Sequence, residues 1–248
     1  MKIFGFRERK KKFKLNFFRN VLANGVIAVM LISLFTLTYA GGTLKAFSAN
    51  EPSAIYNGNL SSNKISIMIN VYWGNEYLDS MLQTLKENDV KTTFFVGGMW
   101  VEKYPELAKK ILDDGHEIAN HGYFHKDHDK LNLERNKKEI LDCHNIVSST
   151  LGVEMNLFAP PSGAYNKTTI ECANSLGYSV IMWTRDTIDW RDQDANLIYE
   201  RAVKNAAGGD LILMHPTKES ANALPRIIET LKNNFKLTTV SDCLSPNA

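Results

Sequence analysis

The chain has 248 residues, of which 44% are hydrophobic and 23% charged, so it is long enough for one substantial domain with a full core. Its formal net charge is only +2, but the first twenty residues are strongly basic and the remainder is mildly acidic. An apolar run directly follows the basic residues, which argues against an arm that binds nucleic acid. We therefore expect no nucleic-acid partner.

The N-terminal segment is typical of membrane targeting. Eight basic residues face a single acidic residue, Glu8, before the almost uncharged stretch Val21–Tyr39. A basic region followed by an apolar segment is characteristic of an export signal, and the positive-inside rule puts the basic residues in the cytoplasm. Cleavage after Ala40 and retention as a membrane anchor both stay open. We predict a basic head plus signal peptide or membrane anchor over residues 1–42, with the rest of the chain outside the cytoplasm.

The remaining chain divides into a linker and a domain. Residues 43–62 are rich in Ser, Asn, Gly and Ala, which predicts a flexible linker. Over residues 63–248, short apolar runs alternate with amphipathic segments, and this alternation predicts an α/β fold with a parallel sheet. We predict strands at Ile65–Val71, Thr92–Val96, Tyr178–Thr184, Asp210–Met214 and Leu237–Val240, and helices at Glu76–Glu87, Pro105–Asp114, Glu134–Thr150, Ala195–Ala206 and Ala221–Asn233.

The three cysteines, Cys143, Cys172 and Cys243, are too few for a disulfide framework and lack the spacing of metal ligands. We predict buried structural thiols. A bond between two of them stays open.

Four polar motifs come at or just after predicted strand ends. The first is the histidine pair His121 and His125, and the others are Ala159–Gly163, Asp186–Trp190 and Leu211–His215. Polar residues at the carboxyl ends of parallel strands meet at one edge of the sheet, where sites form in such folds. Neutral imidazole is a common ligand of zinc and similar ions. A single histidine, in contrast, is more often an ordinary surface or core residue.

Together these motifs resemble the polysaccharide deacetylases of the NodB-homology type, carbohydrate esterase family 4, over roughly residues 63–243. Trp73-Gly74 resembles the end of the first motif in the sporulation-associated branch of that family. The resemblance implies a distorted (β/α) barrel and a divalent metal such as zinc or cobalt. It also implies hydrolysis of acetyl groups on the amino sugars of a cell-wall polysaccharide, with peptidoglycan as the expected substrate.

The resemblance assigns the chemistry to a few matching positions. His121 and His125 correspond to the metal-binding histidines, and His215 corresponds to the general acid. A histidine suits proton transfer because its ordinary pKa lies near neutrality. Asp186 and Asp189 fit the motif whose carboxylate orients that histidine, as carboxylates do in hydrolase triads.

The same resemblance predicts the walls of the substrate groove. Trp190 corresponds to an indole that forms one wall, and Leu213 lines the acetyl pocket. Pro160 and Pro161 match the proline-rich loop that shapes the groove, and Tyr165 is a further candidate for sugar binding.

Three positions depart from the family pattern. An ungapped alignment places Asn70 on the aspartate that acts as catalytic base and Val71 on the aspartate that completes the metal triad. The family's arginine, which holds the base carboxylate, is Ala159 here. An asparagine amide hydrogen-bonds water but does not accept a proton at neutral pH. The residues that could replace the missing carboxylates, each otherwise expected at the surface, are Glu76, Asp79, Asp127 and His128.

Three functions remain open. The first is a metal-dependent N-deacetylase of peptidoglycan or a related polymer. The second is a catalytically impaired homologue that binds cell-wall glycan without cleaving it. The third is a membrane-tethered scaffold that contacts other envelope proteins.

Overall fold

The computed structural model describes residues 20–33 and 53–245, which belong to two separate compact units, Met1–Glu51 and Pro52–Ala248. Residues 20–33 form helix α1, which is exposed along its whole length. Within the described part of the chain, no helix has both the length and the hydropathy of a membrane span. The basic head and the cleavage site at Ala40 lie outside the described residues, so the targeting segment over residues 1–42 stays a prediction.

The second unit is built on an eight-stranded sheet whose strand pairs are all parallel. The strand order is β5-β4-β3-β2-β1-β7-β6, and β8 pairs with the start of β1. This architecture confirms the predicted α/β fold of the distorted (β/α) barrel type. The strands are β1 (Lys64–Val71), β2 (Thr93–Val96), β3 (Glu117–Asn120), β4 (Leu157–Phe158), β5 (Ser179–Val180), β6 (Arg185–Asp186), β7 (Leu211–Met214) and β8 (Lys236–Leu237).

Helices flank this sheet, as alternation of apolar and amphipathic segments requires. Helix α2 buries Leu78, Met81, Leu82 and Leu85 on one face, which is the face predicted from their spacing. The helices are α2 (Asn75–Glu87), α3 (Gly98–Lys103), α4 (Pro105–Asp113), α5 (Leu133–Leu151), α6 (Lys167–Ser175), α7 (Ala195–Val203), α8 (Lys218–Lys232) and α9 (Val240–Leu244).

Strand β1 is the centre of the domain. Its side chains are buried from Ile65 to Val71, because β2 and β7 pair on its two sides and each face of the strand packs in a separate apolar cluster. Asn70 and Val71 therefore lie at the carboxyl edge of the sheet, directly beside the end of β2.

The sheet curves so that its two edge strands approach each other. Strands β5 and β6 are the opposite ends of the strand order, yet only residues 181–184 separate them along the chain. Ile55 helps to close this gap, since its N–H donates to Val180 O and its carbonyl accepts from Met182 N–H, both at 2.8 Å. The prediction of one strand over Tyr178–Thr184 is therefore wrong in its second half, because β5 ends at Val180 and residues 182–184 cross to the other edge of the sheet.

Other boundaries also differ from the sequence prediction. The strand predicted at Leu237–Val240 ends at Leu237, because Thr239 Oγ1 accepts a hydrogen bond from Asp242 N–H (3.2 Å) and caps helix α9.

The predicted linker is also shorter than expected. Of residues 43–62, those from 53 onward pack on the domain. Gly58 N–H donates to Gly209 O (2.7 Å), and a Cβ at Gly58 would overlap Cys243. The flexible-linker prediction is wrong for residues 53–62, and the rest of it lies outside the described residues.

Cys143, Cys172 and Cys243 are all buried and unpaired, which confirms the prediction of structural thiols. Burial raises the pKa of Cys143 to about 12, so this thiol stays protonated at neutral pH.

Candidate functional site

The histidine pair lies in the turn that follows β3. Asn120 ends the strand, and its side-chain oxygen accepts from Gly122 N–H (2.8 Å), which reverses the chain. Gly122 and His125 both have positive φ, at 72° and 55°, so the turn brings the second histidine back towards the first. The two imidazole rings lie 5.1 Å apart between centroids, so His121 and His125 share one side of the turn.

The environment of His121 keeps its imidazole neutral. Its Nδ1–H donates to the carbonyl of Ala159 (2.7 Å), which fixes the tautomer and leaves the lone pair on Nε2. Burial, together with the neighbouring His125, holds the pKa of His121 well below its ordinary value. The pKa of His125 is also lowered, chiefly by burial. Both rings are thus in the form that a metal ion requires of its ligands.

The end of β1 supplies no third ligand to these histidines. Val71 is fully buried among apolar side chains, and Asn70 faces the cavity with a buried Oδ1 that has no hydrogen-bond partner. In residues 20–33 and 53–245, no group of three His, Cys, Asp or Glu side chains has an arrangement that could hold a metal ion. The residues present therefore do not fit the three-ligand site that catalytic zinc normally has.

The four alternative ligands are engaged elsewhere or face other clefts. Asp79 forms an exposed ion pair with Lys110 (2.6 Å), and Asp127 pairs with Lys130 (2.7 Å). His128 is buried, with Nδ1 2.6 Å from the side-chain oxygen of Asn136. Glu76 lines two neighbouring clefts and not the cavity that contains Asn70.

His215 and Asp189 form a largely buried, doubly hydrogen-bonded pair at the site. His215 comes directly after β7, and its Nδ1 lies 2.8 Å from Asp189 Oδ1. The other carboxylate oxygen accepts from the backbone N–H of His215 (2.6 Å) and from Ser220 Oγ. The Asp189 side chain is completely buried, so these bonds set the orientation of the imidazole and direct Nε2 away from the carboxylate.

The loop that carries Asp189 is held by polar contacts. Asp186 Oδ1 accepts from Ile188 N–H (2.8 Å), so this carboxylate shapes the loop and does not contact His215. Arg201, on helix α7, donates to Thr187 O (2.9 Å) and to Asp192 Oδ2 (2.6 Å). Ile188 itself has φ of 54°, an unusual conformation for a β-branched residue, and these contacts hold it there.

A cavity of about 430 Å³ connects these groups. Its lining consists of Trp183 and nine residues that the sequence singled out, which are Asn70, Trp73, His125, Ser162, Gly163, Asp186, Trp190, Leu213 and His215. The indole of Trp73 stacks on the imidazole of His215, with 5.8 Å between centroids and 8° between planes. Trp190 is more than half exposed, at 57%, which suits a wall open to solvent.

The remaining predicted groove residues lie around this cavity without lining it. Ala159 is fully buried, and Pro160 leads into the turn Pro161–Gly163, two of whose residues reach the cavity. The hydroxyl of Tyr165 lies 2.5 Å from that of Tyr56, outside the lining. Sequence reasoning missed Trp183 and Ser220, because an isolated tryptophan or serine carries no spacing signal.

With this geometry established, the chain can be compared with known proteins. A family model described as polysaccharide deacetylase matches residues 57–181, about half of the chain. A peptidoglycan-N-acetylglucosamine deacetylase of Bacillus cereus is 31% identical over 175 residues, which are 68% of this chain and 82% of that protein. The chain belongs to the polysaccharide deacetylase family. Members of this family are hydrolases that generally depend on a metal.

Other proteins are similar to this chain in sequence or in fold. YlxY, an uncharacterized protein of Bacillus subtilis, is 40% identical over 195 residues, and the chain spans only 61% of its length. A CE4 family pseudoenzyme from Bacillus anthracis is 33% identical with a TM-score of 0.76, covering 78% of this chain and 69% of that one. A mutant of the same pseudoenzyme, with restored enzymatic activity, has the same TM-score and 32% identity, covering 78% of this chain and 72% of the mutant. The chain is thus similar in both sequence and fold to proteins of carbohydrate esterase family 4.

Proposed function

We propose that this protein binds peptidoglycan glycan in the cavity described above and that its N-deacetylase activity is strongly impaired. The observation that carries the proposal is the end of β1, where Asn70 and Val71 stand in place of two carboxylates. The similarity to a CE4 family pseudoenzyme supports it.

The first reason is the missing base. Asn70 reaches the cavity, so a side chain at this position is well located to contact a water molecule or an acetyl group. Its amide cannot take the proton that hydrolysis releases, and losing a general base typically costs about 10²–10⁴-fold in rate.

The second reason to expect impaired activity is weak metal binding. Two neutral histidines remain, whereas catalytic zinc normally has three protein ligands. We therefore expect zinc or cobalt to bind weakly. Val71 cannot act as a ligand because its side chain carries no donor atom.

Glycan binding does not need the missing carboxylates. The cavity retains two exposed indoles, Trp73 and Trp190, together with Leu213 at its base and the ordered His215. Sites that bind small ligands are concave and mostly apolar with a few placed polar groups, which is the composition seen here. The ordered pair of Asp189 and His215 also favours a second candidate, slow residual deacetylation, since it still provides a proton donor.

We propose that the protein acts in the cell envelope, exported and either anchored by the segment over residues 1–42 or released from it. Similarity to relatives such as the Bacillus cereus peptidoglycan-N-acetylglucosamine deacetylase supports a cell-wall polysaccharide as its partner. The basic head next to an apolar stretch supports export and membrane contact.

The test measures glycan binding and acetate release in parallel. The full chain should bind soluble peptidoglycan fragments saturably and release little acetate with added zinc or cobalt. The double variant Asn70→Asp with Val71→Asp should raise metal-dependent acetate release at least about 10²-fold. Asn70→Asp with Val71→Asn is the matched control, because it has similar size and polarity but no third carboxylate ligand.

Two results would contradict the proposal. Rapid acetate release by the unchanged protein would show that the cavity works without the carboxylates. Absence of glycan binding, with partner-protein binding that persists in Trp190→Ala, would favour the scaffold function.

A further inference from the structure

The cavity beside His215 contains one fixed negative charge. Asp186 is the one carboxylate among its lining residues, and no lysine or arginine of the described ranges, 20–33 and 53–245, lines it. Asn70, which stands where the family has a carboxylate, is uncharged. A ligand that carries a positive charge is therefore favoured over a neutral one of the same size.

The positive groups of the loop that carries Asp186 do not cancel this charge. Asp192 accepts from Arg191 Nε–H (2.8 Å) and from Arg201 (2.6 Å), so both arginines are engaged by another carboxylate. Among the described residues, Asp186 forms no ion pair. With Asp189 included, three aspartates face two arginines here, which leaves one net negative charge.

The cavity also contains a hydrogen-bond acceptor without a donor. Asn70 is only 4% exposed, lines the cavity, and has a buried Oδ1 with no hydrogen-bond partner. A buried polar atom without a partner costs free energy, so a ligand that brings a donor to this atom is stabilised. An N-acetyl group brings one N–H and a carbonyl that is itself an acceptor, whereas an ammonium brings three N–H donors and no acceptor.

Three indoles in the lining provide further surface that attracts a cation. Trp73, Trp183 and Trp190 all line the cavity, and the guanidinium of Arg191 lies 5.9 Å from the ring centre of Trp190. The face of an aromatic ring carries partial negative charge and attracts ammonium groups, most strongly for tryptophan. The same rings provide apolar surface for the C–H groups of a pyranose, so the lining fits a sugar that carries an ammonium.

We propose that the cavity recognises amino-sugar units that have already lost their acetyl group. The sugar ammonium pairs with the carboxylate of Asp186, Asn70 Oδ1 is a further acceptor, and the indoles contact the pyranose. The proposal rests on the proposed function, since it specifies which form of the glycan occupies the cavity. The protein then binds glycan that an active deacetylase has modified, and it needs no catalytic base for this.

The experiment compares two forms of one ligand. A peptide-free peptidoglycan tetrasaccharide is used fully N-acetylated, and also after removal of the acetyl groups from its glucosamine units. Each form is titrated into the full chain by calorimetry at neutral pH, with a chelator present so that metal-dependent acetate release does not interfere. The de-N-acetylated form should bind about tenfold more tightly.

Three variants test the residues that carry the preference. Asp186→Asn removes the charge and keeps an oxygen for Ile188 N–H, and it should reduce the difference in affinity to about twofold or less. Asp194→Asn is the matched control, because Asp194 is exposed, lies outside the cavity lining and also accepts from the N–H two residues later (2.8 Å). It should keep the full preference. Asn70→Asp adds a carboxylate and should widen the preference, a gain that misfolding does not produce.

The outcomes separate the two proposals. If neither form binds to the unchanged protein, the proposed function is wrong. Equal affinity for the two forms, or tighter binding of the N-acetylated form, would overturn the recognition of the amine alone. A preference that persists unchanged in Asp186→Asn would also overturn it, since the ammonium would then be bound elsewhere in the chain.

Discussion

Replacing Asp189 by alanine removes the acceptor of three hydrogen bonds at one end of the cavity. The donors are His215 Nδ1–H, His215 N–H and Ser220 Oγ–H, and the carboxylate is completely buried. Hydrogen bonds to charged groups contribute about 1.5–3 kcal/mol each, but these three share one acceptor and are not independent. We expect the free energy of unfolding to fall by about 3–5 kcal/mol, the range seen when one member of a buried pair is removed.

Urea unfolding followed by circular dichroism measures this loss. Asp186→Ala is the control, because Asp186 belongs to the same motif but its carboxylate accepts from Ile188 N–H and leaves His215 untouched. The control should lose only about 1 kcal/mol. Equal losses in the two variants would refute the reasoning that Asp189 is the residue that supports His215.

Two further predictions concern packing and pH. Gly97→Ala places a Cβ against the ring of Tyr72 and should lower the free energy of unfolding in urea by about 1–3 kcal/mol; unchanged stability would contradict the packing. Burial lowers the pKa of His116 and of His128 to about 4, so between pH 6.5 and 4 the unfolded chain binds more protons than the folded one. Stability should be constant above pH 6.5 and fall below it by at most about 3 kcal/mol per histidine, with a shallower slope in His116→Gln; a flat profile would contradict this.

Local pattern was sufficient to predict most of the fold. The buried strand β1 and the apolar face of α2 each depend on residues that are close in sequence. Their periodicity can therefore be recognised without knowing what they pack against. The end of β5 is different, because Met182 and Trp183 are apolar like strand residues, whereas Met182 N–H is bonded to Ile55, which is far away in sequence. The packing of residues 53–62 was also missed, because it depends on backbone hydrogen bonds to distant residues, and amino-acid composition does not predict these.

In the site, too, some residues could be predicted from the sequence and others could not. His121, His125, Asp189 and His215 belong to motifs of fixed spacing, and the structure brings them to one edge of the sheet. The packing of the β1–α2 loop against α3 is different, because it joins two stretches of sequence and neither stretch contains the pattern alone. Only the close approach of Tyr72 to Gly97 reveals that the two stretches form one surface.

The hydrogen bonds of Ile55 and Gly58 also have a mechanical consequence. Ile55 is bonded to residues on both sides of Ile181, and Gly58 is bonded to Gly209, near the start of β7. A pulling force on the chain before residue 53 is therefore shared between attachments to distant parts of the sheet. Under load, the domain should yield first by peeling of residues 53–58, while β1 and the cavity beside it keep their shape.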